Sequence, residues 1–162
     1  MKKLMIAASL SIMVILCAGL ALAVEQSIGF VKNVSGKAYI SRQQKLIPAN
    51  VNDKLQVTDA LVTGVGGSMG VILQDNSVLS IGPKSRVDLT KFAFAPAENK
   101  LALTAKVKKG TMVYMTGLLA KLDRKSVRVE TPNAVCGVRG THFAVKVNAP
   151  DDDSDVMPEK SN

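Results

Sequence analysis

The chain's only histidine, His142, lies six residues after Cys136, and the segment between them holds Gly137-Val138-Arg139-Gly140. A cysteine and a histidine can form a nucleophile–base pair when the thiol and imidazole come within hydrogen-bond reach and a third group orients the ring. On extended backbone, six residues span roughly 20 Å at about 3.3 Å each. Only a sharp turn at Gly137–Gly140 could bring the two side chains together. The alternative is a strand, a tight glycine turn and a second strand. Cys136 is then a small packing residue beside Val135, and His142, out of phase with Phe143, faces solvent.

The rest of the chemistry favours the second reading. A phosphate loop needs Gly-x-x-x-x-Gly-Lys-Ser/Thr between a strand and a helix, and this spacing is shorter. The Gly-x-x-Gly clamp for RNA backbone joins two helices, whereas both flanks here alternate as strands do. Met69, Met112, Met115 and Met157 are scattered, so one cysteine and one histidine have no further ligands at metal-site spacing; Met112 and Met115 fit core packing. Asp53, Asp59 and Asp75 each adjoin asparagine or threonine in turn contexts, where a carboxylate caps local N–H groups. The expectation is a protein without catalytic residues, metal or cofactor.

The elements that must position this segment are short strands. "IGFVKNV", "KAYISR", "LALTAKVKK", "TMVYMTG", "SVRVET", "AVCGV" and "HFAVKV" are separated by turn residues at the spacing of an all-β domain. Gly110 is expected to break one strand from the next. Pro83 is expected to end a central strand, because proline has no donor for a ladder. In "SVRVET", Val127 and Val129 should face inward and Ser126, Arg128 and Glu130 outward. "LLAKLDRK" is the one helical stretch, so a single short helix is expected near 118–125. No longer stretch keeps the i, i+3, i+4, i+7 pattern. The fold class is all-β, a compact two-layer stack of short strands built as a β-sandwich or β-roll.

Of the 162 residues, the first 23 read as an export signal: Lys2 and Lys3, an uncharged run from Leu4 to Ala23, and a small-x-small end at Ala21-Leu22-Ala23. The run is also long enough to remain as an inner-membrane anchor facing the periplasm. Lipidation at Cys17 is a third route, opposed by the bulky Leu16 before it. After cleavage Cys136 stands alone, so no internal disulfide is expected. Residues 24–150 then form one domain, with 18 basic and 8 acidic groups, and 151–162 a disordered acidic tail with Asp151, Asp152, Asp153, Asp155 and Glu159. Such a basic exported domain suits anionic envelope partners, either glycan or lipid. Nucleic acid is not expected, since the few aromatics are not interleaved with basic residues. Lys106, Lys108, Lys109, Arg128, Arg139 and Lys146 form the expected basic binding surface, and the lysines among them could also guard open strand edges.

"TPNAVCGVRGTHFAV" resembles the C-terminal signature of the FecR domain, a periplasmic all-β module. The agreement lies at Thr131, Pro132, Ala134, Val135, Gly137, Arg139, Gly140, Thr141 and Phe143, and Cys136 stands where that family has another small residue. "GFVKNVSGKAYI" resembles the opening strand pair, and "VTDALVTGVGGSMGVILQDNSVLSIGPKS" resembles the Gly-Asp, Thr-Gly, Asp-Gly-Ser and Pro-x-Ser blocks. Thr58-Asp59 departs from Gly-Asp, and Asp75-Asn76-Ser77 from Asp-Gly-Ser. The similarity spans roughly residues 28–147. It implies a non-catalytic periplasmic interaction module that binds another cell-envelope protein in a signalling or assembly role. Only Met1-Lys2-Lys3 precede the hydrophobic run, so the cytoplasmic anti-sigma segment of the best-known members is not expected here.

Overall fold

One long strand, β9 (Lys100–Met115), runs through the centre of the protein and takes part in two ladders. The computed structural model describes residues 26–138 and 142–148. From Gly110 onward, β9 lies between β7 (Val78–Ile81) and β12 (His142–Val147). This first ladder continues from β7 through β6 (Ser68–Leu73) and β1 (Gly29–Ser35) to β4 (Lys54–Leu55). Before Gly110, β9 lies between β8 (Arg86–Ala95) and β10 (Val127–Glu130). The second ladder runs from β8 through β5 (Ala60–Thr63) and β2 (Ala38–Arg42) to β3 (Lys45–Pro48), while β10 carries β11 (Val135–Gly137). Every described pairing is antiparallel except β9 with β10. Among the described residues the all-β expectation holds, with a curled sheet and one short α-helix.

Contrary to the expectation from the sequence, Gly110 does not end a strand. It changes which ladder the strand serves. Before it, the buried residues are Leu103, Ala105 and Val107; after it they are Met112 and Tyr114. Odd positions face the core on one side and even positions on the other. Strand side chains alternate with a period of two, so an unbroken β9 would point one of its halves outward. The backbone at Gly110 adopts φ +85°, and the register against β8 slips between Arg86 and Val87. Together they reset the pleat, and both halves reach one core with Val31, Leu61, Val71, Leu79 and Val87.

The corner is clasped by the Pro83-Lys84-Ser85 segment. Ser85 Oγ accepts the Thr111 N–H at 2.8 Å and donates to the Pro83 carbonyl at 3.0 Å. The Ser85 N–H reaches Thr63 Oγ1 at 3.0 Å, and that hydroxyl donates to the Gly82 carbonyl at 2.6 Å. Buried backbone groups that leave a ladder must find other partners, and these two hydroxyls supply them. A Cβ at Gly110 would overlap the Ser85 side chain and sit 2.5 Å from its Cα.

Two buried carboxylates fix the loops. Arg42 grips Asp59 through Nε and Nη2, both at 2.8 Å, and Nη2 also reaches the Lys54 carbonyl. Asp59 further accepts the Gln56 N–H, as expected of a turn carboxylate. The preceding Thr58 holds φ +77°, a conformation that a β-branched residue adopts only under strain. Asp75 is sealed from solvent, like Ser77 and Tyr114. Its carboxylate accepts the Ser77 N–H and hydroxyl and the Leu119 N–H, and its carbonyl accepts the Leu118 N–H. A five-residue helix, α1 (Leu118–Leu122), is too short to stand alone. Asp75 supplies both the acceptor and the negative charge that its N-terminus favours. The helix stops short of residue 125 because Asp123 is extended (φ −139°, ψ 112°) and caps Lys125 instead.

Two inward–outward assignments need correction. Ser126 is buried, not outward, because it precedes β10 and its hydroxyl donates to the Asp123 carbonyl at 2.7 Å. Met115 is 41% exposed, since the phase reset at Gly110 puts it on the outer face, while Met112 is in the core.

Burial pushes the Tyr114 phenol above its ordinary 10.0; the charge of Asp75 adds to the rise, and hydrogen bonds involving Ser77 and Gly117 oppose it. The folded state therefore keeps this proton where the unfolded chain has lost it. The stability concerned is fully present below about pH 10 and is lost as pH rises toward the folded value. Tyr114→Phe is expected to flatten the alkaline fall in melting temperature relative to the parent, and two parallel curves above pH 10 would contradict this. Gly110→Ala is expected to cost about 3 kcal/mol from left-handed strain and overlap at Ser85, as read from urea midpoints. Thr58→Gly should instead stabilise by about 1 kcal/mol, because relief of strain exceeds the added freedom of the unfolded chain.

Candidate interaction surface

The outer face of the second ladder carries the basic residues Lys106, Lys108 and Arg128. They alternate with the buried Leu103, Ala105, Val107, Val127 and Val129 along β9 and β10. Cross-strand register shows how their charges are balanced. Lys106 has Asp88 directly opposite on β8 and Glu130 directly opposite on β10. Opposite charges facing one another across a ladder attract, so the half-buried Lys106 is compensated on both sides. Arg86 shares the Asp88 carboxylate at 3.2 Å. Arg128 lies between Thr104 and Gly137 and is exposed.

The remaining expected residues lie elsewhere. Lys109 sits at the Gly110 corner opposite Arg86. Lys146 is on β12, opposite Thr111, exposed on the outer face of the first ladder. Arg139, Gly140 and Thr141 lie outside the described residues. The expected surface is therefore divided: Lys106, Lys108 and Arg128 on the second ladder, Lys109 at its Gly110 end, and Lys146 on the first ladder beyond that corner. Lys84 and Arg86 belong to this corner as well, and sequence inspection missed them. Their signal was present in Pro83-Lys84-Ser85-Arg86, but only the register of β8 against β9 shows that this turn meets Lys108 and Lys109. The proposed guarding of edges by lysine fits Lys146 alone, because Lys106, Lys108 and Lys109 lie on a central strand.

The motif segment divides between the two ladders. Thr131–Ala134 is the turn of the β10–β11 hairpin: Thr131 N–H bonds the Ala134 carbonyl at 2.8 Å, and Ala134 N–H bonds Thr131 Oγ1 at 3.0 Å. The Thr131 hydroxyl thus satisfies the turn backbone locally. Pro132 sits inside this turn, where no ladder donor is required. Gly137 pairs with Arg128 at the end of β11, with open space where a Cβ would be. β12 then joins the other ladder, so the strands flanking 139–141 are not hydrogen-bonded partners of each other. Phe143, Val145 and Val147 pack against the core.

This placement separates Cys136 from His142. Cys136 is opposite the buried Val129 and shares its core-facing side, half-buried. His142 is exposed on the outer face of the first ladder, opposite Met115. The Asp75–Ser77–Tyr114 cluster has the residue types of a catalytic site, with Ser77 Oγ 2.7 Å from Tyr114 Oη. All three side chains are sealed from substrate, and their hydrogen bonds are used in holding α1. Among the described residues no group of His, Cys, Asp and Glu is placed to hold a metal ion, and no helix is long and apolar enough to cross a membrane.

Residues 59–157, more than half of the chain, match the family described as FecR protein, a regulatory and non-enzymatic family associated with the cell envelope. No curated protein and no solved structure matches the chain. The match covers the Asp59 loop, the Asp75 turn, the Ser85 corner, β9 and the Thr131 turn, and on this ground the chain belongs to the FecR family.

Proposed function

We propose that this protein is a non-catalytic periplasmic module that binds another cell-envelope protein at the Gly110 corner. The observation that carries this reading is the position of β12. Among the described residues it pairs only with β9, and it presents Ala144 and Lys146 outward along the half of β9 that starts at the Gly110 corner, just before which Lys108 is exposed. An unpaired strand edge can accept a partner strand through main-chain hydrogen bonds, and neighbouring cations select a partner that offers carboxylates. Lys106 contributes less than its charge suggests, since Asp88 and Glu130 flank it. Export by the N-terminal signal would deliver the module to the periplasm.

Photoreactive residues placed singly at Lys108, Ala144 and Lys146 in living cells test this reading, with Val135 as a control on the far hairpin. A discrete protein adduct from Ala144 and Lys146, absent from Val135, is the expected outcome. Diffuse adducts at all positions, or none, would replace a protein partner with an anionic envelope glycan or lipid held by charge. That alternative also predicts a steep loss of binding between low and physiological salt.

A further inference from the structure

The outer face of the first ladder holds an apolar row that neither the core nor the proposed corner uses. Cross-strand register aligns Phe30 of β1 with Ile72 of β6, Ile72 with Val78 of β7, and Val78 with Met115 of β9. Phe30 is 40% exposed and Met115 41%. At neighbouring-strand spacings of about 4.8 Å, the row runs roughly 15 Å across the sheet. An open groove of about 480 Å³ continues it, lined by Phe30, Lys54, Ile72, Gln74 and Asn76.

Other features gather at the same end of the molecule. The helix α1 begins on the Asp75–Ser77 turn that joins β6 to β7. Leu118 and Leu122, four apart on one helix face, are both exposed, and Lys121 shares that face. Lys54 lies opposite Phe30 on β4, and Arg124 and Lys125 are exposed just past α1, so cations outnumber the one exposed carboxylate there, Asp123. The described chain also begins here: the Gln74 side-chain amide donates to the Ser27 carbonyl, and the Gln74 N–H to the Ile28 carbonyl.

We propose that this end of the protein rests on an anionic lipid bilayer, with Phe30, Met115, Leu118 and Leu122 entering the headgroup region and Lys54, Lys121, Arg124 and Lys125 facing lipid phosphates. Apolar side chains ringed by cations are the pattern of an interfacial contact, in which buried apolar area and attraction to anionic lipid add. A second copy of the chain fits less well, because face-to-face pairing would bring the two basic rims together. The contact is separate from the Gly110 corner, which lies at the opposite end of β12 and of the second half of β9. A bilayer contact here would leave the outer edge of β12, with Lys146, and the exposed Lys108 accessible to a protein partner.

The absence of tryptophan from the sequence gives a direct test. Three full-length variants each carry one tryptophan: Phe30→Trp, Leu122→Trp, and Val135→Trp on the far hairpin as control. Each is mixed with vesicles of phosphatidylglycerol and phosphatidylcholine containing brominated acyl chains. The expected result is a blue shift and at least twofold lipid quenching at positions 30 and 122, no quenching at 135, and a smaller effect with pure phosphatidylcholine. Vesicle-bound protein with unquenched tryptophan at 30 and 122, or equal quenching at all three positions, would overturn the proposal. A blue shift at position 30 that grows with protein concentration in the absence of vesicles would assign the row to a second copy instead. None of these outcomes depends on the in-cell adducts at Ala144 and Lys146, so the two readings fail separately.

Discussion

The fold depends on one strand facing a single core with both of its halves while pairing in two ladders. Alternation along a β-strand is strict, so a sixteen-residue strand that changes ladder must lose phase once. The left-handed backbone at Gly110 and the adjacent register slip against β8 provide that loss. Ser85 then becomes necessary, because the corner exposes backbone groups that neither ladder pairs. Its hydroxyl and that of Thr63 satisfy those groups at the point where a side chain on residue 110 would not fit. The Pro-x-Ser block is in this sense a consequence of the length of β9.

The same economy governs the polar groups inside. Asp59 and Asp75 are both sealed, and each is surrounded by donors: a two-pronged guanidinium for the first, hydroxyl and backbone N–H groups for the second. A buried carboxylate lacking such partners would cost several kcal/mol. With them it fixes a turn that would otherwise have alternatives. Asp75 joins the β6–β7 turn to a helix more than forty residues later, so one side chain determines where α1 sits and which of its leucines are outward.

Much of this was legible from residue types. Alternation in "SVRVET" and "HFAVKV" identified the core faces of β10 and β12, and the "LLAKLDRK" stretch identified the helix. The departures from the family pattern were also informative. Thr58 and Asn76 occupy positions where the family has glycine, and both adopt positive φ, so the missing glycines marked left-handed turns. What could not be read was anything that depends on which strands adjoin. The compensation of Lys106 by Asp88 and Glu130 joins residues 18 and 24 positions away, and the alignment of Phe30 with Ile72, Val78 and Met115 crosses four strands. Ser126 was misread because local alternation begins only where the strand begins, one residue later.

The parallel pairing of β10 with β9 bears on how the chain assembles. β7 and β8 both wait for β9, and β9 in turn is flanked by β10 and β12, so contacts between residues far apart in sequence predominate near the C-terminus. Folds of this contact order form slowly, because long loops must close before their contacts reward them. A chain emerging from its N-terminus thus carries β7 and β8 with open edges until Met115 has arrived, and the two ladders close together in a late step.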